Sequence, residues 1–158
     1  MRKVVKIITI VILCIGITST FTSCKKDKNE GCTDLNANNF DSNAEESDGS
    51  CTYPIINVSA TNNTAGDVSG LGGTASRTIV FTSNDTIIDW DMTINDATSG
   101  SFQLVVNDAD GTTVIDNTLT AGSGPQDSAG ISSPGTPGTW TAIISLTSFN
   151  GTGDYSLQ

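Results

Sequence analysis

From Ile55 onward the chain reads as short runs of β-branched and aromatic residues between clusters of Gly, Ser, Asn and Asp. The clearest run, Thr86–Ile94, sets Ile88, Trp90, Met92 and Ile94 against Asp89, Asp91 and Thr93. A period of two marks a half-buried strand. Thr139–Phe149 repeats it, with Trp140, Ala142, Ile144 and Leu146 opposed to Thr139, Thr141 and Ser145. Ile55–Ala60, Ser76–Thr82, Ser101–Asn107, Thr112–Thr120 and Asp154–Gln158 read as further strands, with weaker signals at Asp67–Leu71 and Asp127–Ser132. One apolar and one wet face per strand predict antiparallel pairing. So many short strands over roughly a hundred residues, with no helical stretch of any length, predict an all-β fold, an antiparallel β-sandwich over residues 55–158.

Upstream the pattern changes. Arg2, Lys3 and Lys6 precede the apolar run Ile7–Ile17, and small polar residues follow to Cys24. A charged start, a short apolar centre and a small-residue exit describe a secretory signal over residues 1–23. The run is shorter than the roughly 20 residues that span a bilayer. Ser23-Cys24, followed at once by Lys25-Lys26-Asp27-Lys28, resembles the lipobox of bacterial lipoproteins. The resemblance implies that the Cys24 thiol is acylated, that it becomes the new N-terminus, and that the protein sits lipid-anchored at the outer membrane. Each buried methylene adds about 0.8 kcal/mol to such anchoring. With Cys14 removed and Cys24 acylated, Cys32 and Cys51 are left as one disulfide pair in an oxidising compartment.

Charge narrows the partners. The chain has 7 basic and 17 acidic residues. Loss of Arg2, Lys3 and Lys6 takes the net charge from −10 to −13, and beyond Lys28 the one cation is Arg77. Such a surface repels nucleic acid and anionic headgroups, which need Lys and Arg contacts. Divalent cations, neutral glycans and other proteins remain as partners.

Residues 24–30 are charged, with nothing apolar after Cys24, and read as a tether. Residues 31–53 form a separate unit. Gly31, Cys32, Thr33, Asp34, Ala37, Asn39, Phe40, Asp41, Ala44, Asp48, Gly49, Ser50, Cys51 and Tyr53 together resemble a short disulfide repeat of secreted and surface proteins of marine bacteria. With Leu35, Phe40, Tyr53 and a few alanines as its expected apolar content, so small a unit depends on a covalent staple. Asp34, Asn39, Asp41, Asn43, Glu46 and Asp48 offer hard oxygen ligands in one closed loop, as calcium prefers. The same residue types also build turns by bonding their own backbone. A purely structural knot, a calcium-stabilised knot and a recognition site are therefore all open. Further on, Ser99–Ile115, Pro137–Leu146 and Phe149–Gln158 resemble the closing strands of jelly-roll accessory domains, the pre-peptidase C-terminal domain and the proprotein-convertase P-domain. That resemblance implies architecture more than activity.

The chemistry available is restricted. No histidine occurs anywhere, which removes Ser-His-Asp and Cys-His arrangements and histidine metal centres. Two cysteines without histidine do not complete a zinc site, and their wide spacing is unlike a redox Cys-x-x-Cys. Asp89 and Asp91 share the wet face of one strand and read as solvated. Asn107–Gly111 (NDADG) reads as a hairpin turn, since no aspartate opens it and no glutamate closes it as an EF-hand loop requires. Thr86 and Ser128, each after an aspartate, resemble O-glycosylation acceptors of one Gram-negative group. The expected function is that of a non-enzymatic surface or periplasmic structural or binding module, with carbohydrate binding or adhesion as the alternative and a small hydrolase a distant third. Trp90 and Trp140 fall on apolar faces, which leaves Phe149 and Tyr155 as the sandwich aromatics open to sugars.

Overall fold

The computed structural model describes residues 27–59, 63–122 and 124–158; the expected signal, residues 1–23, and Cys24 lie outside them. The described residues form eight strands and no helix: β1 (Glu30–Gly31), β2 (Glu46–Ser47), β3 (Ile55–Ile56), β4 (Ala65–Ser83), β5 (Asp89–Asn107), β6 (Thr113–Thr120), β7 (Gln126–Ile131) and β8 (Gly138–Leu157). β1 and β2 pair in parallel within the disulfide unit, and the other six make one antiparallel sheet. The all-β antiparallel expectation is met.

Three of these strands are 19 or 20 residues long, far beyond a typical strand, and each joins two segments that the sequence shows as separate. Asp67–Leu71 and Ser76–Thr82 are the two arms of β4; Thr86–Ile94 with Ser101–Asn107, and Thr139–Phe149 with Asp154–Gln158, are those of β5 and β8. The glycine-rich joints between them are β-bulges, not turns. Pairing slips at Leu71/Gly73 on β4 and at Ile94/Asp96 and Ala97/Ser99 on β5, and the pairs to β8 skip near Ser148. Ser148 itself has φ 47°.

Each extra residue reverses which alternate positions point inward. On β8 the buried set runs Trp140, Ala142, Ile144 and Leu146, then changes parity to Phe149, Tyr155 and Leu157. Val68 lies before the slip on β4 and Ile79 and Phe81 after it. The sheet therefore folds over while one face stays inside throughout. One half has the order β4-β8-β5-β6 and the other β3-β4-β8-β5-β7.

The two halves close on a continuous apolar core. Phe102 of one half meets Tyr155 of the other edge-on, ring centroids 6.5 Å apart, and Trp140 packs on Phe81 at 6.2 Å. Trp140 is fully buried, and its indole N–H donates to the Thr136 carbonyl at 2.8 Å. Trp90 is half-buried against the same core. Phe149 and Tyr155, expected to be open, are both buried, because the parity change turns them inward. The Tyr155 hydroxyl donates to the Asn57 carbonyl at 2.9 Å, and burial pushes its pKa up to about 12. Arg77 donates to the Ile56 carbonyl at 2.7 Å, so the chain is held at two successive carbonyls, the last of β3 and the one just after it.

Candidate functional site

Cys32 and Cys51 are disulfide-bonded, with Cα atoms 4.9 Å apart. Around the bond the acidic residues repeat one device. Asp34 Oδ1 accepts from the Asn36 amide at 2.9 Å, Asp41 Oδ1 from the Asn43 amide at 2.8 Å, and Asp48 Oδ1 from the Ser50 amide at 2.8 Å. Each is an aspartate turning the chain by bonding the backbone two residues on. Asn39 closes the unit: its Oδ1 accepts from the Thr52 amide at 2.8 Å and its Nδ2 donates to the Ser50 carbonyl at 2.9 Å. The bond to Asn36 holds the Asp34 carboxyl below the usual carboxylate range, with Tyr53 adding to it, and Ser50 does the same for Asp48. Glu46 pairs with Lys28 at 3.0 Å on the exposed surface.

Of the six residues weighed as calcium ligands, Asp34, Asp41 with Asn43, and Asp48 build turns, Asn39 forms the clamp around the loop, and Glu46 is in the ion pair with Lys28. Among the described residues no three acidic side chains stand close enough to share an ion. The hydrogen bonds around the disulfide are those of a structural knot, in which each aspartate turns the chain through a backbone amide.

The apolar content of the unit is not where small size suggests. Leu35 is 76% exposed, Phe40 39% and Tyr53 48%, while Cys32 and Ala37 are buried. A unit this small covers little beyond its own disulfide. It docks instead on the bulge of β4. Asn38 Oδ1 accepts from the amides of Leu71 (2.9 Å) and Gly73 (3.2 Å), and the Thr74 amide donates to the Asn36 carbonyl at 2.8 Å. A Cβ at Gly73 would lie 2.7 Å from that same Asn36 carbonyl, so only glycine admits the contact.

Docking leaves Tyr53 at a junction. Its hydroxyl donates to Asp34 Oδ2 at 2.8 Å, and this bond raises the tyrosine pKa while fixing the ring. Two open depressions meet at the ring. One, of about 410 Å³, is lined by Asn38, Ile55, Leu71, Asn150 and Thr152. The other, of about 710 Å³, is lined by Asn36, Ser76, Gln103, Ser145 and Thr147. Neither lining contains a lysine or arginine. Nothing in the sequence marks this place, because it exists only once the knot sits on the β4 bulge.

The other singled-out residues lie apart. Asp89 is exposed and Asp91 half-buried on the outer face of β5. That face also carries Asp67, Asp154, Thr93 and Asp127 in one cross-strand row. NDADG is a turn built on Asp108, which accepts from the amides of Asp110 (3.0 Å) and Thr112 (2.7 Å) on Oδ1 and of Thr136 (2.8 Å) on Oδ2. Thr86 is exposed between β4 and β5, and Ser128 is half-buried in β7.

No protein-family model and no curated protein matches the chain. Among solved structures, the chain is similar to a CBM4 carbohydrate-binding module at 16% identity and TM-score 0.39, over 65% of this chain and 83% of that one. It is similar to the family 11 carbohydrate-binding module from Clostridium thermocellum, solved with a β-1,3-1,4-mixed-linked tetrasaccharide, at 16% identity and TM-score 0.30, over 65% and 78%. The enzymatically active domain of bacteriophage CBA120 tailspike protein 4 gives 14% identity and TM-score 0.38, over 66% of this chain and 18% of that one.

Proposed function

We propose that the chain is a lipoprotein, acylated at Cys24 and held at the outer membrane, whose folded part is a non-catalytic module that binds neutral carbohydrate. The observation behind the reading is Tyr53, a half-exposed aromatic ring hydrogen-bonded to Asp34 between two depressions that carry hydroxyl and carboxamide groups beside apolar residues and the carboxylates of Asp34 and Asp96. Binding sites of this kind pair an apolar surface with a few fixed polar groups. A ring offers its face to the C–H side of a sugar, and the amides and hydroxyls around it exchange hydrogen bonds with sugar hydroxyls. The acidic outer face and the absence of cations from both linings disfavour anionic polymers. The paired carboxylates Asp89 and Asp91 lie on an open strand face, and the described residues hold no lysine near them to act as a base.

Affinity electrophoresis of the full chain tests the function. Its migration is expected to slow in gels cast with a neutral polysaccharide and to stay unchanged with polygalacturonate. Unchanged migration in every neutral gel would reject carbohydrate binding. The anchor is tested separately: radiolabelled palmitate should enter the wild-type chain and not Cys24→Ala.

A further inference from the structure

We propose that the junction between the disulfide unit and the sheet is an extended binding cleft, which takes an internal stretch of a linear neutral glycan with one sugar ring on Tyr53. The inference rests on the carbohydrate-binding reading and adds the place, the orientation and the kind of chain end that is not required. Tyr53 borders both depressions, one facing each half of the folded sheet. A ligand lying across the ring therefore continues into both, and neither depression is a closed pocket for a chain terminus.

The two sides offer different chemistry. Toward β8's C-terminal arm, Leu71 and Ile55 are exposed beside Asn150 and Thr152, so an apolar floor is edged by hydrogen-bonding groups. Toward the other half, Gln103, Ser145 and Thr147 present a polar strand surface. The Gln103 amide donates to Asp116 at 2.9 Å, which leaves its carbonyl oxygen as an acceptor held in place. The Asp34–Tyr53 bond orders the ring before any ligand arrives, so binding loses less side-chain freedom there. Because Asn36 and Asn38 both hold the knot on β4 and line the cleft, the disulfide unit is part of the site and not a spacer.

Calorimetry on the full chain in detergent micelles tests this with di- and hexasaccharides of β-1,4-glucose, β-1,3-glucose, β-1,4-mannose and β-1,4-xylose. At least one hexasaccharide is expected to bind, and more tightly than its disaccharide by about tenfold or more, since only the longer chain fills both sides. Tyr53→Ala is expected to weaken that hexasaccharide by about tenfold or more, about 1.4 kcal/mol. Tyr53→Phe, which keeps the ring, should retain most of the affinity. Asn150→Ala and Gln103→Ala should each weaken binding from opposite sides, while Asp91→Asn on the outer face of β5 should not. If a hexasaccharide binds but Tyr53→Ala melts and binds like wild type, the cleft is rejected and the carbohydrate reading stands. Equal affinity for di- and hexasaccharide would reject the two-sided cleft. No binding by any of the neutral saccharides would reject both readings.

Discussion

Asp108 is buried, and both of its carboxylate oxygens are taken up by backbone amides. Its two oxygens take amide protons from both the β5–β6 turn and the segment before β8, so one carboxylate joins two loops at one end of the sandwich. The Thr136 amide is the leading reason its pKa lies below the ordinary 3.8. A carboxyl with a depressed folded-state pKa stabilises the fold above its ordinary value, and that contribution disappears as pH falls through the folded value. Asp108→Asn replaces one acceptor oxygen by a donor facing another donor, at Thr136 or at Asp110 and Thr112. The variant is expected to melt several degrees below wild type, with a constant gap from pH 7 to pH 5. The gap should narrow below about pH 4 as the wild type itself loses the ionised form. Because Asp34 and Asp48 are depressed too, the difference between the two proteins, followed by thermal melting against pH, isolates this residue. A gap that does not change with pH would show that the carboxylate's charge contributes nothing.

At the scale of the element, the joints of the long strands carry the fold. Gly100 and Gly72 both have positive φ, 88° and 105°, and both sit at bulges. They differ in what surrounds them. A Cβ at Gly100 would lie 2.3 Å from the Ser148 carbonyl and 2.5 Å from that of Thr147, whereas at Gly72 nothing lies within 4 Å. Gly72→Ala should therefore cost about 1 kcal/mol, the backbone contribution alone. Gly100→Ala adds a backbone collision at the bend and should cost about 3 kcal/mol or more. Urea midpoints at constant slope would measure both, and equal losses would mean that the close approach to β8 does not constrain the bend. The same glycines explain what the sequence concealed. Alternation in Ile88–Ile94 and Trp140–Leu146 is visible because one face is buried and the other is wet. A bulge and a turn both call for glycine at positive φ, so Gly72-Gly73, Ser99-Gly100 and Gly151 read as chain reversals. Whether the chain reverses or bends depends on its neighbours across the sheet, and those are long-range. Tyr53 was hidden for a related reason, since its exposure depends on a docking surface some twenty residues downstream.

At the scale of the whole molecule, a unit with almost no core is fixed to a sandwich with a complete one. Its staple closes a loop with a sequence separation of 19, worth roughly 3 kcal/mol of restricted unfolded-state freedom. Its attachment to the sheet is a few hydrogen bonds at the β4 bulge, at amides outside the regular pairing. Reduction should therefore release the unit and leave the sandwich folded, because Phe102, Trp140, Ile144, Leu146 and Phe149 pack without any contribution from it. Hydrogen exchange provides the readout. After reduction the amides of Leu71, Gly73 and Thr74, which bond to Asn38 and Asn36, should exchange far faster. The amides of Ile144 and Val105, in the middle of the sheet, should keep their protection. The cleft around Tyr53 would be lost in the same step, so glycan affinity should fall with the protection of those three amides while the melting of the sheet hardly moves. Persistent protection at Leu71, Gly73 and Thr74 after complete reduction would show that turns and docking hold the unit together without the disulfide. Simultaneous loss of protection at Ile144 would show that unit and sandwich are one cooperative fold.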